Sequence, residues 1–124
     1  MRQLAAIMFA DIAGFTALMQ EDEALALELR NKLKNKLETE IAIHGGRVIK
    51  YSGAGALCSF DSAIESVRVG IAVQLEMQKS PVVPLRIGIH QADVIIDDGD
   101  VHGDGVNIAS RLETFAIIGS IFSH

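Results

Sequence analysis

Leu4 to Ala10 is an unbroken apolar run of strand length, suited to the covered middle of a sheet. It gives way to Asp11-Ile-Ala-Gly-Phe-Thr16, a turn-like stretch around Gly14. From Asp22 to His44 the period changes. Leu25, Leu29, Leu33, Leu37 and Ile41 recur every four residues, which predicts a long helix with one apolar stripe, stopped by Gly45-Gly46. Arg47 to Tyr51 and Ala56 to Phe60 read as two strands of a hairpin closed by Ser52-Gly-Ala-Gly55. Ser62 and Glu65 have capping-box spacing, opening a second helix with Ile64, Val67, Ile71 and Leu75 expected inward. Pro81 and Pro84 place its end before them.

Two further strands are expected at Leu85 to His90 and Asp93 to Ile96, then an acidic loop, Asp97 to Asp100. Asp104 is placed to cap a last helix reaching about Phe115, with Val106, Ala109 and Leu112 on its core side. Ile117 to Phe122 reads as the start of another strand. The order predicts an α+β fold, an α/β sandwich. Its β-α-β-β-α-β core is ferredoxin-like, with an extra hairpin strand and a C-terminal helix. Residues 1–124 are expected to form a single domain.

Composition narrows the function classes. Nearly half the chain is apolar (49%), so a core can be buried, yet no uncharged apolar run is long enough to span a bilayer. Asp11 breaks the N-terminal run early, and no cleavage-site pattern follows, so a strand in a cytoplasmic protein is expected and not a signal peptide. The net charge of −5 argues against a nucleic-acid partner, which a basic face would attract. The lone Cys58 allows no internal disulfide and, in an apolar strand, is expected to be a core thiol.

Few side chains are placed for chemistry. Asp11 ends a buried strand ahead of a glycine turn, where a carboxylate can hold a cation and free amides can meet phosphate, or where it can simply cap the turn. Lys50 precedes the hairpin turn and Asp100 sits in the acidic loop; alone, either reads as a solvated surface charge. Asn107 and Arg111, four apart on one helical face, suit sugar and phosphate recognition, although a solvated helix surface accounts for them as well. His90 and His102 lack the spacing of a zinc site.

Four ordered segments, Phe9-Ala-Asp-Ile-Ala-Gly-Phe-Thr16, Val48-Ile-Lys-Tyr-Ser-Gly53, Leu85-Arg-Ile-Gly-Ile-His90 and Gly103-Asp-Gly-Val-Asn-Ile-Ala-Ser-Arg-Leu-Glu113, together resemble the class III adenylate/guanylate cyclase catalytic domain. The resemblance covers nearly the whole chain. It implies a fold of the kind read above and a head-to-tail homodimer, or a heterodimer with another cyclase domain, with sites at the interface. It also implies cyclisation of a purine nucleoside triphosphate, ATP being favoured, using Mg²⁺ or Mn²⁺. By this likeness Asp11 and the Ile12 carbonyl are metal ligands, and Gly14, Phe15 and Thr16 hold the triphosphate. Lys50 and Asp100 read the base, Asn107 positions the ribose, and Arg111 stabilises charge on the α-phosphate.

Two departures bear on activity. The family's second metal aspartate falls between Gly53 and Gly55, where this chain has Ala54. The family domain also continues beyond the point matched by His124, through a further helix and strands. An active or weakened cyclase is one expectation. A cyclase-like regulatory or dimerisation module that binds nucleotide without efficient turnover is the other. A diguanylate-cyclase-type enzyme is disfavoured, because its Gly-Gly-Asp/Glu-Glu-Phe turn is absent.

Overall fold

A computed structural model describes residues 2–97, 100–102 and 121–123. Strand β1 (Arg2–Ile12) leads into a short helix α1 (Phe15–Glu21) and a long one, α2 (Glu23–His44). The β2 (Arg47–Ser52) and β3 (Gly55–Phe60) hairpin follows, then α3 (Ala63–Met77) and the long strand β4 (Leu85–Asp97). Two short strands complete the described part, β5 (Asp100–His102) and β6 (Ile121–Ser123).

The sheet order is β2-β3-β1-β4-β5, and β6 lies beside β4. The four-stranded antiparallel core places β3 between β1 and β2, and β1 between β3 and β4. This is the interlocked split arrangement expected from the element order. Strands β5 and β6 share the outer edge of β4: β5 pairs antiparallel at Ile95–Asp97, and β6 parallel at Ile87–Ile89.

Alternation along β1 decides what each face holds. Ala6, Met8, Ala10 and Ile12 turn toward the helices and join Leu29, Leu33, Leu37 and Ile41 of α2 in one buried cluster. Ala5 and Ile7 turn the other way, with Leu57 of β3 and the partly buried Phe9 and Ile49. The expected thiol is in the helix-side core: Cys58 is buried opposite Met8, and burial pushes its pKa up to about 12.

Local signals set the α2 boundaries. Asp22 caps it, its Oδ1 accepting from the Leu25 N–H at 3.1 Å, and the Gly45 N–H closes the other end on the Ile41 carbonyl. Helix α1 begins inside the turn-like stretch that ends at Thr16, and no local signal in the sequence marks it. It is seven residues long, has no side-chain cap and buries no residue fully.

Helix α3 corrects the expected inward stripe except at Val67, which is partly buried and packs against the core. Ile64, Ile71 and Leu75 are 64%, 49% and 61% exposed, while Ser66, Val69, Gly70, Val73, Gln74 and Met77 are buried. A period count weighs only hydrophobicity. The buried stripe instead mixes the small Ser66 and Gly70 with Val69, Val73, Gln74 and Met77, and each of its polar members makes a hydrogen bond. Gln74 Nε2 donates to the Leu85 carbonyl at 2.8 Å, and Ser66 Oγ to the Ala63 carbonyl at 2.7 Å. The expected break between His90 and Asp93 is also absent. Strand β4 runs through it because Gln91 and Ala92 find partners in Ala6 and Ala5 of β1. Asp100 accordingly opens β5 and is not part of a loop. The helix expected from Asp104 to Phe115 lies outside the described residues. No helix among the described residues is long and apolar enough to cross a membrane.

Candidate active site

Asp11 and Ile12 end β1, and the turn that follows enters α1 through Gly14, which has the positive φ of 71°. The first intrahelical bond runs from the Leu18 N–H to the Gly14 carbonyl, so the first-turn amides of Phe15, Thr16 and Ala17 have no acceptor within the helix.

The hairpin tip closes over this end of β1. Gly53 takes a φ of 55°, and the Ile12 N–H donates to the Ala54 carbonyl at 3.3 Å. Gly55 is directly opposite Asp11, and a Cβ there would meet the Ala10 carbonyl oxygen at 2.8 Å and Asp11 Cβ at 3.1 Å. Only glycine lets the hairpin approach so closely.

One cavity of about 530 Å³ is lined by Asp11, Ile12, the Gly14-Phe15-Thr16 turn, Ala54 and Arg86. A groove of about 200 Å³ adjoins it at Asp11 and is lined by Phe9, Lys50 and Leu57 among others. Lys50 is paired with Leu57, and Leu57 with Phe9, so all three belong to the sheet face away from the helices, with Asp11. The structure thus gathers Asp11, Ile12, Gly14, Phe15, Thr16 and Ala54 around one space, with Lys50 beside it. Strand β5, which carries Asp100, passes within 8 Å of β2, which carries Lys50. Asn107 and Arg111 lie outside the described residues.

Arg86 is the residue that sequence reasoning missed. It faces Asp11 across β1 and β4, and its Nε and Nη2 donate to Asp11 Oδ1 and Oδ2, both at 3.2 Å. Both residues are half-buried. The available signal was register: a strand ending at Asp11 and a strand beginning at Leu85 bring these two positions together when paired antiparallel.

The donor set fits one divalent cation and not two. The Asp11 carboxylate and the Ile12 carbonyl are hard oxygen donors of the kind Mg²⁺ shares with substrate phosphates. Ala54 offers only a methyl group, and no cluster of three His, Cys, Asp or Glu side chains is found among the described residues.

Known proteins bear out the resemblance. The family described as the adenylate and guanylate cyclase catalytic domain matches residues 2–122. A Rhizobium meliloti (strain 1021) protein provisionally named adenylate cyclase 3 is 38% identical over 97% of this chain and 22% of its own length. An adenylate cyclase of Streptomyces coelicolor is 35% identical over 90% of this chain and 30% of its own. The chain therefore spans less than a third of either relative. The crystal structure of an adenylate/guanylate cyclase/hydrolase from Silicibacter pomeroyi superposes with a TM-score of 0.83 at 35% identity, covering 98% of this chain and 75% of that one. With a family match over almost its full length and a fold of the expected kind, the chain belongs to the adenylate/guanylate cyclase catalytic domain family.

Proposed function

We propose that this chain is a purine nucleotidyl cyclase domain acting on ATP. It would form 3′,5′-cyclic AMP and pyrophosphate for cyclic-nucleotide signalling in the cytoplasm, as a homodimer or paired with another cyclase domain. The observation that carries the reading is the cavity in which Asp11, the Ile12 carbonyl and the first turn of α1 converge beside the Lys50 groove. The adenylate cyclase names of the two relatives support ATP over GTP.

In this reaction the 3′-oxygen attacks the α-phosphorus while the bond to the bridging oxygen of pyrophosphate breaks. A divalent cation held by Asp11 and the Ile12 carbonyl would make the 3′-hydroxyl a usable nucleophile and offset phosphate charge. The Gly14-Phe15-Thr16 amides hold phosphate oxygens, adding donors without adding net charge. Lys50 and Asp100 read complementary donor and acceptor positions on the adenine edge. Asn107 orients the ribose, and Arg111 offsets charge at the α-phosphate as the transition state forms.

Ala54 favours a second reading, a nucleotide-binding regulatory or dimerisation module with little turnover, because one carboxylate must do the work of two. Cyclic AMP formation from ATP and Mn²⁺ by the full-length protein separates the two. Ala54→Asp is expected to raise it by at least about tenfold, equivalent to roughly 1.4 kcal/mol of barrier. Turnover that is absent from both proteins, with both folded and dimeric, would replace the cyclase reading with the module.

A further inference from the structure

Asp11 and Arg86 are directly opposed on neighbouring strands, so their side chains leave the sheet on one face at cross-strand spacing. The guanidinium bridges both carboxylate oxygens at 3.2 Å, each nitrogen to its own oxygen. This two-point fork is the geometry in which arginine neutralises a carboxylate most effectively. It is also a geometry a cation cannot share comfortably. A divalent ion on Asp11 would stand within a few ångströms of a guanidinium already there, two like charges on one acid.

Residue 54 makes the conflict unavoidable. With a second carboxylate at the hairpin tip, one acid could hold the arginine while the other held the ion. With Ala54 on that side of the cavity, Asp11 must serve both. Neither group is locked away. The Asp11 and Arg86 side chains are 31% and 28% exposed, and both line the cavity that carries the Gly14 turn. A guanidinium that leaves Asp11 therefore stays at the wall of the same cavity.

We infer that Arg86 is an internal competitor of the divalent cation at Asp11. The cation binds by displacing the guanidinium, and an anionic ligand in the cavity assists by drawing the guanidinium away. Cation and nucleotide are thus positively coupled through one exchange of partners, and by linkage each tightens the other by the same factor. Cation affinity without nucleotide is held down by the chain's own arginine. The inference rests on the assignment of Asp11 as the cation ligand.

The test is Mn²⁺ binding followed by electron paramagnetic resonance, without nucleotide and with 3′-deoxy-ATP, which lacks the attacking hydroxyl. Wild type is compared with Arg86→Gln, Arg86→Lys and Asp11→Asn, each checked for folding by circular dichroism. Without nucleotide, Arg86→Gln is expected to bind Mn²⁺ at least about tenfold more tightly than wild type, within the usual range of coupling between sites. Arg86→Lys, which keeps the charge and loses the fork, should fall between them, and it decides the matter if Arg86→Gln does not fold. The analogue should tighten Mn²⁺ on wild type by a larger factor than on Arg86→Gln. Asp11→Asn should bind Mn²⁺ at background level throughout. If Arg86→Gln binds Mn²⁺ no better than wild type, including no detectable binding by either at millimolar concentration, the competition is overturned. If Asp11→Asn matches wild type with the analogue present, the cation assignment fails as well, so the two failures are distinguishable.

Discussion

The two faces of the sheet are built from the same strands to different ends. On the helix side, β1 contributes Ala6, Met8, Ala10 and Ile12 to a continuous core with α2 and α3. One residue out of phase, the same strand offers Phe9 to the groove beside Lys50 and Asp11 to the cavity beside Arg86. Strand β4 repeats the division, with Leu85, Ile87 and Ile89 in the core and Arg86 across from Asp11. A period of two thus separates stability from chemistry within one strand. The core face makes the chemical face rigid, since Asp11 is held at a fixed register between Gly55 and Arg86.

If the faces are separable, the largest stability loss should come from the helix side and leave ligand preference alone. Leu37 is fully buried in the α2 stripe, and Leu37→Ala removes its packing and leaves a void. A loss of about 2–5 kcal/mol is expected in urea unfolding. At temperatures where the variant remains folded, its preference between ATP and GTP should match wild type. A changed preference would show that the core reaches into the site.

The opposite test removes chemistry and spares the fold. Asp11→Ala is expected to reduce Mn²⁺-dependent nucleotide binding by at least about a hundredfold, which corresponds to roughly 2.7 kcal/mol. The melting temperature should change far less than in Leu37→Ala, because the carboxylate and the Arg86 side chain that it pairs with are both partly exposed to water, which offsets much of their attraction. Equal Mn²⁺ binding by variant and wild type, measured calorimetrically with nucleotide present, would remove Asp11 from the site.

How much of this was legible in the sequence follows from the same division. Strong local signals read correctly: the four-residue leucine stripe of α2, the Gly45 stop and the hairpin around Gly53. Features decided by tertiary packing did not. The α3 sequence carries two competing stripes, and burial of the one with Ser66 and Gly70 is decided by packing that no local pattern shows. The length of β4 depends on β1 offering partners as far as Arg2, which no local pattern announces. The site divides likewise. Asp11 and Ala54 could be placed by motif, whereas Arg86 becomes visible only through strand register.

A smaller effect is expected at the base. Lys50 lines the groove beside Asp11, on the face away from the core. Lys50→Ala should reduce the preference for ATP over GTP by about 1–3 kcal/mol, the range found where a side chain reads a base edge. Competition binding that finds the same preference in wild type and variant would leave Lys50 outside the base-reading site.

The smallest effect belongs to the helix side and concerns pH. Ser62 caps α3 as expected, its Oγ accepting from the Glu65 N–H at 3.3 Å. The Glu65 carboxylate does not complete the expected box. It reaches His44 at the end of α2 and Arg68 on its own helix, the latter at 2.8 Å. The His44 hydrogen bond, aided by Arg68, holds the Glu65 pKa below its ordinary 4.5, against a smaller opposing effect of burial. A carboxyl group whose pKa is lower in the folded state stabilises the fold fully above its unfolded value, and that contribution fades as pH falls through the folded value. Wild-type stability should therefore drop more steeply than that of Glu65→Gln below about pH 4.5, in urea unfolding followed from about pH 6 to 3. Since the pair is partly exposed, added salt should shrink the difference. Parallel pH profiles for the two proteins would show that the link between α2 and α3 adds nothing to stability, leaving the apolar contacts of the core face to hold the helices together.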